Sequence, residues 1–302
     1  MAAIAHRMRT RIRRGAAAAL LALVSLEACK RAGHESSRVR PAPSTDLPKA
    51  VEEHGFIAPA VGFYAVFLPP DYGDAATQTT RYPLVVILHG NASTELLHGA
   101  LSDDLGRQGV IYVAPRAPYA APDAFIDEHT PGWTAWPTYP EVWGQEQAPQ
   151  FPKIEVQSLN VERLYTDWIA AAIADARRRY RVAPERAVVL GHSQGGTFAH
   201  RFAVEHPDLV RAYVAIAGRH RVDLANRADA SVLREHGIHV LVLHNEGDPV
   251  VPVKHSRDLV AYLDANHVTC ESMIAPGGDH RVSPSLRKRA REFVRRECGL
   301  AE

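Results

Sequence analysis

An open, mostly parallel α/β sheet with helices on both faces is the fold this sequence predicts, and three observations predict it. First, the runs YPLVVILHG, GVIYVAP, RAVVLGHS, RAYVAIAG and IHVLVLHN are continuously apolar, as strands covered on both faces must be. Second, helical patterns lie between them, and strand–helix alternation over this length gives parallel neighbours joined by crossovers. Third, 46% hydrophobic and 23% charged residues among 302 supply one large core. A net charge of +1 gives no reason to expect nucleic acid or another polyanion as partner.

The N-terminal segment stands apart from that fold. Arg7, Arg9, Arg11, Arg13 and Arg14 precede an apolar run from Ala16 to Leu26. That run has the length of a signal-peptide core and is short for a bilayer span, although an uncleaved anchor is the alternative. It ends in LEAC, which resembles the lipobox of bacterial lipoproteins, with Glu27 where a small residue is usual. The resemblance makes residues 1–28 a lipoprotein-type signal peptide and Cys29 the lipidated first residue of an exported, membrane-tethered protein. Residues 29–51 are polar, aperiodic and Pro-containing, and read as a tether. Residues 52–302 then form a single domain.

Within it, GFYAVFLPPDY reads as an antiparallel edge strand, and NVERLYTDWIAAAIADARRRY as a helix with Val161, Leu164, Trp168, Ile169, Ala172 and Ile173 on one face. The C-terminal segment alternates Arg and Lys with Leu286, Ala290, Phe293 and Val294 at helical spacing, so its basic residues form a solvated face. Cys270 and Cys298 can pair in an oxidising compartment or remain buried thiols; we expect them to resist alkylation until reduced.

Chemistry enters at GHSQGG. Ser193 follows the strand RAVVLG and precedes the helix TFAHRFAVEH, the context of a nucleophile elbow, in which Gly191 and Gly195 let strand and helix approach. A serine hydroxyl needs a base, and the base an orienting carboxylate. Asp248 stands in the loop after IHVLVLHN, and His280 in the Gly-rich loop PGGDHRVSP that follows another short apolar run. Glu246 is the alternative acid, and Asp279 reads as a surface residue. His192 is expected to point away from the site, and His244 to lie ahead of the acid's loop without a role.

With LHG (Leu88 to Gly90), GHSQGG (Gly191 to Gly196), GDPVVP (Gly247 to Pro252) and GGDH (Gly277 to His280) in this order, the chain resembles the α/β-hydrolases, and within them the serine carboxylesterase and phospholipase/carboxylesterase-like branch. The resemblance implies a Ser193–His280–Asp248 triad that cleaves carboxylic esters through an acyl-enzyme. A thioesterase, peptidase or polyester depolymerase on the same triad, or an idle binding lipoprotein, are the alternatives. Elbow geometry places one oxyanion donor at the backbone N–H of Gln194 and the other after LVVILHG, at Asn91. No cofactor or metal is required; the 16 histidines show no metal-ligand spacing.

Residues 115–153 carry Trp133, Trp136 and Trp143 among many prolines, and leave the carboxyl end of a strand on the same edge as Ser193. They read as a pocket wall or, alternatively, as a loop pinned by its aromatics. The polar stretch 218–237 is too small for a large lid, which favours soluble or small-polymer esters over long-chain lipids.

Overall fold

The computed structural model describes residues 62–91, 93–120, 134–135, 161–220 and 227–301. The signal-peptide and tether assignments, Cys29, Trp133, Trp136 and Trp143 lie outside them. The main sheet has seven strands in the order β1-β3-β2-β6-β7-β8-β9. They are β1 (Tyr64–Phe67), β2 (Leu84–Leu88), β3 (Ile111–Pro115), β6 (Ala187–His192), β7 (Val210–Ile216), β8 (His239–Asn245) and β9 (Cys270–Ala275). The strand β1 pairs antiparallel with β3 at the edge, as expected; all other pairings are parallel. A separate pairing joins β4 (Tyr119–Ala120) to β5 (Thr134–Ala135).

Seven α-helices are described: α1 (Glu95–Gly99), α2 (Leu101–Leu105), α3 (Val161–Arg179), α4 (Gln194–Glu205), α5 (Arg227–Glu235), α6 (Lys254–Ala265) and α7 (Pro284–Glu297). None of the described helices is long and apolar enough to cross a membrane.

The pleat divides the strand residues between two cores, because successive side chains point to opposite faces. Val86, Leu88, Val189 and Val242 share one cluster with Ile169 of α3, Phe202 of α4 and Leu263 of α6. Val85, Ile87, Leu190 and Leu243 share the other with Leu286, Phe293 and Val294 of α7. Every residue of β2 and β3 is buried, which is why these strands read as unbroken apolar runs. Of the expected face of α3, Ile169, Ala172 and Ile173 are buried, with Tyr165 and Ala176 beside them, and Trp168 is half-buried, its indole Nε1 donating to the Arg116 carbonyl at 3.0 Å; the side chains of Val161 and Leu164 lie outside the described ones.

This division overturns the expected cysteine bridge. Both thiols are free. Cys270 packs against the core on one face of the sheet and Cys298, at the end of α7, against the core on the other, so the sheet itself separates them.

Candidate active site

The loops after β6, β8 and β9 meet at the carboxyl edge of the sheet, and each carries one of the residues singled out in the sequence. Ser193 sits between β6 and α4 at φ 57°, ψ −122°, a positive φ that a non-glycine residue adopts only under strain. Its N–H donates to the Ile216 carbonyl at 2.8 Å and its own carbonyl accepts from the Gly196 N–H at 2.9 Å, so both neighbouring elements hold the turn. The crossing leaves no room for side chains. A Cβ on Gly191 would lie 2.0 Å from the Gly195 carbonyl oxygen, and one on Gly195 would lie 2.2 Å from that of Leu88.

Asp248 is buried, and its carboxylate has four donors. Oδ1 accepts from the N–H groups of Val250 (2.8 Å) and Val251 (3.0 Å). Oδ2 accepts from His280 Nδ1 at 2.7 Å and shares the His244 Nε2–H, 3.2 Å away, with the Val251 carbonyl, which lies 3.0 Å from that nitrogen. Burial acts to raise the acid's pKa, but the hydrogen bonds from His244, His280, Val251 and Val250 outweigh it and hold the carboxyl far below the usual range. A carboxylate only accepts, so His280 carries its proton on Nδ1 and its Nε2 accepts from the Ser193 hydroxyl at 2.8 Å. The imidazole is thereby set to take the serine's proton.

Glu246 is half-exposed and pairs with Arg257 at 2.6 Å, away from His280. Asp279 is likewise half-exposed and bonds to Arg281. Two expectations about histidines are corrected. His192 does not point away: its Nε2 donates to the His280 carbonyl at 2.7 Å, because the turn at Ser193 brings the last residue of β6 under the histidine loop. His244, in β8, is fully buried with its Nε2 3.2 Å from the acid four residues further on, while its Nδ1 accepts from the Ser256 hydroxyl at 2.7 Å. Sequence reasoning also missed His98, whose Nε2 lies 3.0 Å from His192 Nδ1. No spacing rule links α1 to the end of β6, so nothing in the sequence marked that contact.

Gln194 opens α4 with its side chain buried. Asn91 follows Gly90, whose position abuts Ser193: a Cβ on Gly90 would lie 3.1 Å from that of the serine. The Gly90 carbonyl accepts from His89 Nδ1 at 2.7 Å, and His89 Nε2 accepts from the Ala117 N–H at 3.0 Å. Since the peptide is trans, the Asn91 N–H points opposite to that engaged carbonyl. Among the described residues no group of three His, Cys, Asp or Glu side chains is arranged to hold a metal ion.

A seven-stranded sheet of this order with a strained serine at the strand–helix turn defines an α/β-hydrolase. The chain belongs to the phospholipase/carboxylesterase family, whose model matches residues 75–297. It is 26% identical over 253 residues to the protein named "Putative esterase NocK" of Nocardia uniformis subsp. tsuyamanensis, a match covering 78% of this chain and 64% of that relative's length. Among solved structures it resembles esterase PE8 (TM-score 0.58, 21% identity, 78% of this chain and 99% of that one). It also resembles the Bacillus cereus carboxylesterase (TM-score 0.53, 15% identity, 79% and 95%). At these identities the structural likeness is one of fold.

Proposed function

We propose that this protein is a serine hydrolase of carboxylic esters, with Ser193 as nucleophile, His280 as general base and then acid, and Asp248 as the group that holds the imidazole. The observation that carries this reading is the unbroken hydrogen-bonded chain Asp248–His280–Ser193, at 2.7 and 2.8 Å. Ser193 attacks the ester carbonyl as His280 takes its proton; the tetrahedral oxyanion is met by the N–H groups of Gln194 and Asn91. Collapse expels the alcohol, protonated by His280. Water, deprotonated by the same histidine, then releases the acid from the acyl-enzyme.

The substrate is a soluble or small-polymer ester with an apolar acyl or aryl group. Leu96 and Leu97 on α1 and Val250 beside Asp248 are exposed apolar side chains at this edge, and we assign Trp133, Trp136 and Trp143 to the pocket wall. Thioesters, amides and polyesters are the competing substrates on the same machinery. We further infer export and anchoring through a lipid on Cys29; mass spectrometry of the native protein should find its first residue there, acylated, and an unmodified start elsewhere would make it a plain secreted enzyme.

The deciding experiment pairs fluorophosphonate labelling with a panel of chromogenic esters of varied chain length. Ser193→Ala should keep the fold, lose labelling and lose turnover by several orders of magnitude. Full turnover in that variant overturns the mechanism, and a wild type that neither labels nor turns over leaves a binding protein on a hydrolase scaffold.

A further inference from the structure

The loop that carries His280 turns on two glycines and is tied down beyond them. Gly277 (φ 65°) and Gly278 (φ 78°) both take positive φ. Beyond them, three consecutive carbonyls, those of Asp279, His280 and Arg281, are each captured by a side chain. Asn245, the last residue of β8, donates from Nδ2 to the Asp279 carbonyl and to the Arg281 carbonyl, both at 2.8 Å. The Ser283 hydroxyl donates to Asn245 Oδ1 at 2.9 Å and so fixes which way the amide faces. His192, the last residue of β6, donates from Nε2 to the carbonyl of His280 between them, at 2.7 Å.

For His192 to donate there while neutral, its Nδ1 must accept, and a donor is in place: His98 Nε2 at 3.0 Å, its ring stacked on that of His192 with centroids 5.3 Å apart. His98 Nδ1 in turn accepts from the Ser93 hydroxyl at 2.7 Å. The row Ser93, His98, His192, His280 carbonyl therefore has one direction of donation throughout. Burial, with the neighbouring His280 second, pulls His192 down to about 4, which keeps this tautomer neutral in the range where the proposed chemistry runs.

We propose that His192 and Asn245 are positioning residues that clamp the main chain of His280 in register with Ser193, and that His98 fixes the His192 tautomer that makes the clamp. The inference rests on the proposed serine–histidine–aspartate mechanism. His192 is joined to the nucleophile by one peptide bond, so it ties the Ser193 turn and the His280 loop together. Displacing a reacting group by about 1 Å costs on the order of 100-fold in rate, so the clamp acts on the chemical step rather than on binding.

The test measures kcat and KM for a p-nitrophenyl ester, the rate of fluorophosphonate labelling and the thermal midpoint, in the full chain. His192→Phe keeps a ring but has no donor; it should lower kcat about 30- to 100-fold with KM within about twofold, and slow labelling in parallel. His192→Gln, whose amide can donate to the same carbonyl, should recover about tenfold of that loss, which filling the space alone would not do. His98→Phe, which removes no group that bonds to His280 and only frees the His192 tautomer, should lower kcat about fivefold at unchanged KM, and it decides the matter if His192→Phe does not fold. A kcat within about twofold of the parent in both Phe variants, or Gln no better than Phe at position 192, overturns the clamp. Ser193→Ala run alongside separates the two readings: if it retains turnover the serine mechanism falls, whereas an inert Ser193→Ala beside a fully active His192→Phe removes the clamp alone.

Discussion

Asp248 and Glu246 are two residues apart in one loop, and their surroundings give them opposite prospects. The first is buried with four donors on two oxygens; the second is half-exposed against Arg257. Asp248→Asn should therefore lower kcat/KM by about four orders of magnitude, because an amide cannot hold the Nδ1–H tautomer of His280 as the carboxylate does. Glu246→Gln should leave kcat/KM within about twofold, since an exposed ion pair contributes little. A chromogenic ester assay on the two variants checks both, and a larger loss at position 246 would move the acid there. Ser193, Asp248 and His280 were legible in the sequence because each follows a strand in an order that the chain itself displays. The histidines around them were not. His192, His244 and His98 act across loops, and side-chain direction at a strained turn is invisible to periodicity. The three tryptophans were chosen because their long segment leaves a strand on the edge that carries Ser193, and they fall outside the described residues.

At the level of elements, the turn at Ser193 sets the tightest constraint. Gly191→Ala would drive a methyl into the Gly195 carbonyl, a backbone group that cannot step aside, so we expect a loss of about 3 kcal/mol or more in unfolding free energy, read by urea titration. A variant as stable as the parent would mean that β6 and α4 do not cross this closely. The strands were legible as unbroken apolar runs because both faces of β2 and β3 are covered. Their placement on faces was not legible, and that is where the cysteine expectation failed. Spacing says that β9 and the end of α7 are near in sequence, while only the packing says they lie on opposite sides of the sheet. Cys270 and Cys298 should therefore label fully with a maleimide in denaturant without reductant. In the native protein labelling should be slow, because burial pushes both thiols up to about 12. Protection that disappears only after reduction would restore the bridge.

The molecule as a whole buries histidine on a scale that sets its response to acid. His98, His192, His200 and His220 are all pulled down by burial, His192 to about 4 and His200 to about 3. His89, His206 and His255 move the same way, also chiefly through burial. An unfolded histidine takes up its proton near about 6.5. Below that pH the unfolded chain binds protons that the folded one refuses, and stability falls as pH falls. The depressed Asp248 works in a lower window: its contribution is present above about 3.9, the pKa of an unfolded aspartate, and is lost only below it. The histidines therefore act first. Each one kept neutral costs about 1.4 kcal/mol per pH unit below about 6, so His192 and His200 alone cost about 3 kcal/mol per unit near pH 5. Against a total stability of about 5–15 kcal/mol that is a large fraction, and the protein should be markedly destabilised by about pH 5. Urea titrations at pH 8, 7, 6 and 5.5 should show little change over the first step and a steep drop after it. Replacing His200 and its partner Tyr213, hydrogen-bonded at 2.7 Å, together by Phe removes one titrating group without orphaning the other. That double variant should lose stability less steeply, by about 1.4 kcal/mol per pH unit near pH 5. An unchanged slope would show that His200 is already protonated in the fold, and a flat profile down to pH 5 would show the same of the buried set.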